Sequence, residues 1–208
     1  MVFRTPFFLP WLYPGLIWRM SAREKIVYLT FDDGPVPGPT EFVLDVLKQQ
    51  QLKATFFCIG DNIRKHPGIF QRTITEGHVI GNHTFNHLNG WKTEDADYLA
   101  NTELFNQAVT KINPALRTHL FRPPYGRITR RQIRLLQQYQ IIMWDVLTHD
   151  YHHIVSPERC LRNSLKAVRN GSIVVFHDSV KAERNLQFVL PRFIEACQQK
   201  GYTFSKLA

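Results

Sequence analysis

"KIVYLTFDDGP" (residues 25–35) carries a run of apolar and β-favouring side chains straight into two adjacent carboxylates and a Gly-Pro turn. β-branched and aromatic residues fill positions 26–31 apart from Leu29, so the run reads as a strand that stops at Asp32 and Asp33. Two neighbouring aspartates repel each other when both are ionised out of water, unless a cation, an arginine or solvent divides their roles. Asp-Gly is also ordinary turn chemistry, so the rest of the chain has to decide between a turn and a site.

Similar runs recur at 53–59, 78–83, 118–122, 140–147, 172–177 and 202–207, giving seven expected strands. Helical patterns lie between them at 40–50, 93–112, 156–169 and 185–200. Thr93 with Glu94 and Asp95 reads as a helix start, and so does Ser156 before Pro157. Strands that alternate with helices imply parallel pairing, because each crossover needs a helix to bring the chain back. Seven such strands predict an α/β fold, a distorted (β/α)7-type barrel in a single domain. The rival is an open doubly wound sheet, but no glycine-rich phosphate loop follows the first strand. A barrel makes a demand: functional side chains must collect at the C-terminal ends of its strands.

On this reading they do. Asp32 and Asp33 follow the first strand, His83 and His87 the third, Arg122 the fourth, Asp150 the fifth, and His177 with Asp178 the sixth. In "HTFNH" (83–87) two imidazoles stand four residues apart, a spacing that converges on one ion if the backbone turns helically. Two histidines and a carboxylate form a recurrent hydrolytic zinc set, with Asp33 as the third ligand. Asp32 is then free to accept a proton from water. Arg122, in the proline-stiffened "FRPPYG" (121–126), is placed to orient Asp32, and Tyr125 to offer its backbone N–H to an oxyanion. His177 at the rim suits a proton donor, with Asp150 or Asp178 holding it charged. His149, His152 and His153 are expected to be non-catalytic.

With 208 residues and 44% hydrophobic content the chain suits one full-sized domain. The net charge of +9 favours a polyanionic or cell-wall partner. The one basic concentration, "RITRRQIR" (127–134), reads as a solvated helix face, so no specific nucleic-acid partner is expected. Cys58, Cys160 and Cys197 are widely spaced and expected to be free, buried thiols. Residues 1–24 form an aromatic, proline-rich arm, interrupted by Pro6, Pro10 and Pro14 and lacking a clean cleavage site. It is expected to lie on the domain surface or touch a membrane or cell-wall face; a leader is the other reading. The compartment stays open, with the cytoplasm favoured, and a monomer is expected.

Together these motifs resemble the polysaccharide deacetylase family, carbohydrate esterases that remove N-acetyl groups from chitin, peptidoglycan and related polymers. The similarity spans about Lys25 to Leu207, within a catalytic domain of residues 25–208. "TFDDGP" matches the first family motif, "HTFNH" the second and "RPPY" the third. The resemblance implies Asp32 as base, Asp33, His83 and His87 as ligands of a divalent metal (Zn2+, with Co2+ or Ni2+ as substitutes), Arg122 as orienter of the base and Tyr125 at the oxyanion. It further implies Asp150 and His177 as the acid pair, and an N-acetylated glycan as substrate. "LTHDY" departs from the family's Asp-x-x-Asp-Trp through Leu147 and Tyr151, and "VFH" from Leu-x-His through Val175. The resemblance implies that Tyr151 and Val175 alter the wall that receives the acetyl methyl. The alternatives are an amide or cyclic-imide hydrolase on the same barrel and a non-catalytic glycan-binding homologue.

Overall fold

The computed structural model describes residues 1–208. Its strands are β1 (Ile26–Asp32), β2 (Thr55–Cys58), β3 (Val79–Asn82), β4 (Leu120–Phe121), β5 (Gln140–Ile141), β6 (Val146–Leu147), β7 (Ile173–His177) and β8 (Thr203–Ser205). The helices are α1 (Leu9–Leu12), α2 (Pro39–Gln49), α3 (Gly60–Lys65), α4 (Pro67–Thr75), α5 (Asp95–Ile112), α6 (Arg130–Leu135), α7 (Pro157–Ala167) and α8 (Glu183–Gln199). All strands pair in parallel, in the order β5-β4-β3-β2-β1-β7-β6, and β8 joins the first half of β1. The result is a curled parallel sheet wrapped by helices, the (β/α)7-type single domain expected from the strand pattern.

The central apolar runs become β1, β2 and β7, strands buried on both faces. Phe31 of β1 stacks between Phe56 and Phe176 at 5.0 and 6.0 Å, and Phe193 of α8 closes edge-on against Phe176 at 5.4 Å. Helix starts follow their sequence signals: the Ser156 hydroxyl accepts the Arg159 N–H, and Pro157 opens α7. Helix α5 begins two residues later than expected, because the Thr93 hydroxyl instead donates to the Asn89 carbonyl. Cys58, Cys160 and Cys197 are free and buried, as expected.

The expected strand at 140–147 is corrected to two short ones, β5 and β6, which form the two edges of the sheet and do not pair with each other. The reason is the N-terminal arm, which takes the hydrogen bonds of this seam. Ile17 bridges Ile142 in parallel, and Arg4 bridges Val146 and Arg19 bridges Ser172 in antiparallel fashion. Phe3, Leu16 and Trp18 of the arm are buried. No helix is long and apolar enough to cross a membrane.

Candidate active site and metal centre

The first strand delivers Asp32 to the rim, and the chain then turns through Asp33, whose φ of 86° lies in the left-handed region that non-glycine residues rarely occupy. That turn gives the two neighbouring carboxylates different partners. Asp32 Oδ1 accepts from Arg122 at 2.7 Å, whereas Asp33 Oδ1 faces His87 Nε2 at 3.3 Å and His83 Nε2 at 3.8 Å. Strain of this kind persists only where the surroundings over-determine it, and here they do. Asn62 donates to the Asp33 carbonyl at 2.7 Å, and buried Asp178 accepts from the Gly34 N–H and the Thr40 hydroxyl. Asp178 N–H in turn donates to the Asp32 carbonyl at 3.0 Å. A Cβ on Gly34 would collide with the Asp178 carboxylate, so this turn needs glycine.

The segment from His83 to His87 is a braced loop, which corrects the expected helical turn. Thr84 and His87 both have positive φ, of 61° and 56°. Asn82 Oδ1 accepts the Thr84 N–H, and Asn101 Oδ1 on α5 accepts the N–H groups of Phe85 and Asn86. The loop still brings the imidazoles together. His83 Nδ1 lies 2.7 Å from the Arg122 carbonyl, which can only accept. The proton is therefore on Nδ1, and Nε2 keeps its lone pair for a metal. His87 Nδ1 meets the Tyr125 hydroxyl at 3.1 Å. The ligand atoms of Asp33, His83 and His87 all lie within 4.8 Å of one another, a donor set that fits one divalent cation.

Electrostatics prepare the same set. Burial pushes the His83 imidazole down to about 4, leaving it neutral and able to ligate. For Asp33 burial acts upward, but the His87 hydrogen bond and the charge of His177 outweigh it and hold the carboxyl well below the usual range.

Arg122 has no exposed surface and packs its guanidinium 4.0 Å over the Phe57 ring. Its pairing with Asp32 is single rather than forked, because the other nitrogens are committed elsewhere. Nη1 also donates to Thr30 Oγ1, Nε to the Ile142 carbonyl and Nη2 to the Met143 carbonyl. Tyr125 sits at φ 60° in the loop after Arg122, where its backbone turns sharply above the rim.

Asp32 and His177 are register partners at the ends of the adjacent strands β1 and β7. His177 Nδ1 lies 2.8 Å from Asp150 Oδ1, and the His177 N–H donates to Asp150 Oδ2 at 2.8 Å. Burial alone would lower the imidazole, but the Asp150 charge and hydrogen bond win and push it up to about 9. The choice between Asp150 and Asp178 is thus settled for Asp150; burial raises Asp178 to about 8 while it braces the Gly34 turn. The cleft above these groups encloses about 500 Å³, with Trp144, Leu147, Tyr151 and Val175 in its apolar wall. Tyr151 meets His177 edge-to-face at 4.6 Å. His149 is turned away to the Val2 carbonyl, and His152 stacks on His153.

Sequence reasoning passed over Thr30, Asn62, Asn101, Trp144 and the bracing role of Asp178. Each acts through tertiary contact from a distant element, and only Asp178, beside His177, carried a local signal.

The family model described as polysaccharide deacetylase matches residues 19–144. The chain belongs to the polysaccharide deacetylase family. A peptidoglycan-N-acetylglucosamine deacetylase of Bacillus cereus is 32% identical, over 90% of this chain and 88% of that protein. A chitooligosaccharide deacetylase of Bradyrhizobium sp. is 34% identical, over 76% and 72%. Among solved structures, the Bc1960 peptidoglycan N-acetylglucosamine deacetylase, in complex with an N-hydroxybenzamide, superposes with a TM-score of 0.90 at 32% identity, covering 98% of this chain and 95% of that one.

Proposed function

We propose that this chain is a divalent-metal-dependent N-deacetylase that removes acetyl groups from N-acetylglucosamine-containing poly- or oligosaccharides, of chitooligosaccharide or peptidoglycan type, and releases acetate. The observation that carries this reading is the convergence of Asp33, His83 and His87 next to the Asp32–Arg122 pair. Zn2+ suits this oxygen-and-nitrogen set, with Co2+ or Ni2+ as substitutes. Such a cation, when bound, supplies Lewis acidity that polarises a carbonyl and acidifies water.

The chain's own residues do the rest. Asp32, kept in place by Arg122, takes a proton from the attacking water as its oxygen bonds to the acetamide carbon. The Tyr125 N–H serves the oxyanion that develops on the carbonyl oxygen. His177, held protonated by Asp150, gives its proton to the nitrogen as the C–N bond breaks. The products are acetate and a glucosaminyl amine. Trp144, Leu147, Tyr151 and Val175 enclose the acetyl methyl and exclude water.

The test is acetate release from chitooligosaccharides, peptidoglycan and acetylated xylan, with and without chelator. Release from the two N-acetylated substrates, abolished by chelator and lowered at least about a hundredfold by Asp32→Asn, is the expected result. Release insensitive to both treatments would remove the reading.

A further inference from the structure

The first twelve residues pose a physical problem. They are held firmly, yet they present large apolar side chains to water. The Leu147 N–H donates to the Phe3 carbonyl at 3.0 Å, the Thr5 N–H to the Asp145 carbonyl at 2.8 Å, and the Thr5 hydroxyl to the Trp144 carbonyl at 2.6 Å. On this fixed segment Phe7 is 78% exposed, Trp11 80%, Leu12 56% and Val2 65%. Isolated exposed apolar residues need no explanation, but a contiguous group on an ordered segment marks a contact surface.

Its flank identifies the chemistry. Leu12, Tyr13 and Leu16 share a shallow hollow with Ile133, Arg130 and Arg134 of α6, and no acidic residue lines it. Arg131 is neutralised by Asp95, whereas Arg130 and Arg134 have no acidic partner. Tyr13 and Leu12 beside unpaired arginines, with Trp11 and Phe7 exposed just before them on the arm, match the boundary between lipid headgroups and acyl chains, where rings insert and cations meet anionic phosphates. The other occupants fit less well. A second copy would bring the same arginines together on chains of net charge +9. A sugar ring stacks on a flat aromatic platform, but Phe7 meets Phe8 and Trp11 edge-on, at interplanar angles of 85° and 86°.

We propose that the arm and α6 form a membrane-docking face that binds the surface of a bilayer containing anionic lipids. Because residues 3–5 are hydrogen-bonded to the segment that supplies Trp144 and Leu147 to the cleft, docking also fixes the cleft relative to the bilayer.

The test is co-sedimentation of the full chain with vesicles of phosphatidylcholine alone or with about 30 mol % phosphatidylglycerol, read together with tryptophan emission. Binding to the anionic vesicles alone, with a blue shift and with loss in about 0.5 M NaCl, is expected. The pair Phe7→Ser with Trp11→Ser, and separately the pair Arg130→Glu with Arg134→Glu, should each lower partitioning at least about tenfold. Ile154→Ser, at an exposed apolar position outside the arm, serves as control, and melting temperatures verify folding. The charge-reversal pair keeps the test decisive if the arm pair does not fold. Absence of binding to anionic vesicles, equal loss with the Ile154 control, or self-association or chitin retention as the property lost in the arm pair would overturn the proposal.

Discussion

At the scale of single residues, the adjacent aspartates coexist because each has its own partners, Arg122 for Asp32 and the two imidazoles for Asp33. Arg122 is the costlier half of that arrangement, a guanidinium fully out of water that is balanced by one carboxylate, one hydroxyl and two carbonyls. Removing it leaves a buried carboxylate unpaired, so Arg122→Ala is expected to cost about 3–5 kcal/mol in denaturant unfolding. Arg122→Lys restores charge but not the spread of donors, and kcat should fall roughly a hundredfold while KM changes little. His177 supplies the pH dependence. Its folded-state value, about 9, lies above the ordinary 6.5. Its pairing with Asp150 therefore stabilises the fold fully below about pH 6.5 and is lost as pH rises through about 9. Acetate release should decline on the same alkaline side, at or below about pH 9, since a cation held by Asp33 repels the imidazolium. Asp150→Asn should move that limb downward in a pH–rate profile; an unmoved limb would take the acid role away from His177.

At the scale of elements, the site is built where strand ends meet braced loops. Asn101 reaches from α5 to hold two N–H groups of the loop between the histidines. Asn101→Ala leaves both ligands in place but unbraced, and is expected to weaken metal affinity about 10- to 100-fold in a chelator competition. Much of this level was legible in the sequence. β1 and β7 showed themselves as β-branched runs ending in acids and a histidine, and the cap at Ser156 was readable from its Pro157 neighbour. Other elements were hidden for physical reasons. Helices α3 and α4 span six and nine residues and abut at His66-Pro67, so each is shorter than the window of about 11 residues over which a helical pattern is read. The break between β5 and β6 lies in an apolar run whose one charged residue is Asp145, and the arm that bridges Ile142 and Val146 lies more than a hundred residues away in sequence. Spacing alone made His83 and His87 look helical; the left-handed residues that set the true path leave no periodic trace.

At the scale of the molecule, the curled sheet stays open between β5 and β6, and the arm and a buried charge cluster close the seam. Asp145 receives Arg169 through two nitrogens, at 3.1 and 2.7 Å, and the Ser172 hydroxyl at 2.7 Å. Asp145→Ala is expected to lower unfolding free energy by roughly 2–3 kcal/mol, measured in urea, and to loosen the cleft wall that begins at Trp144. The same architecture gathers residues from β1, β3, β4 and β7 at one rim, and a single cation held there is what the proposed activity depends on. The most direct measurement is a titration of chelator-stripped protein with Zn2+, following acetate release from an N-acetylglucosamine oligomer. Release should climb linearly and level off at about one equivalent per chain, and Asp33→Ala, His83→Ala and His87→Ala should each abolish the rise. A stripped protein that is already fully active, or one that releases no acetate at any zinc loading, would contradict the account.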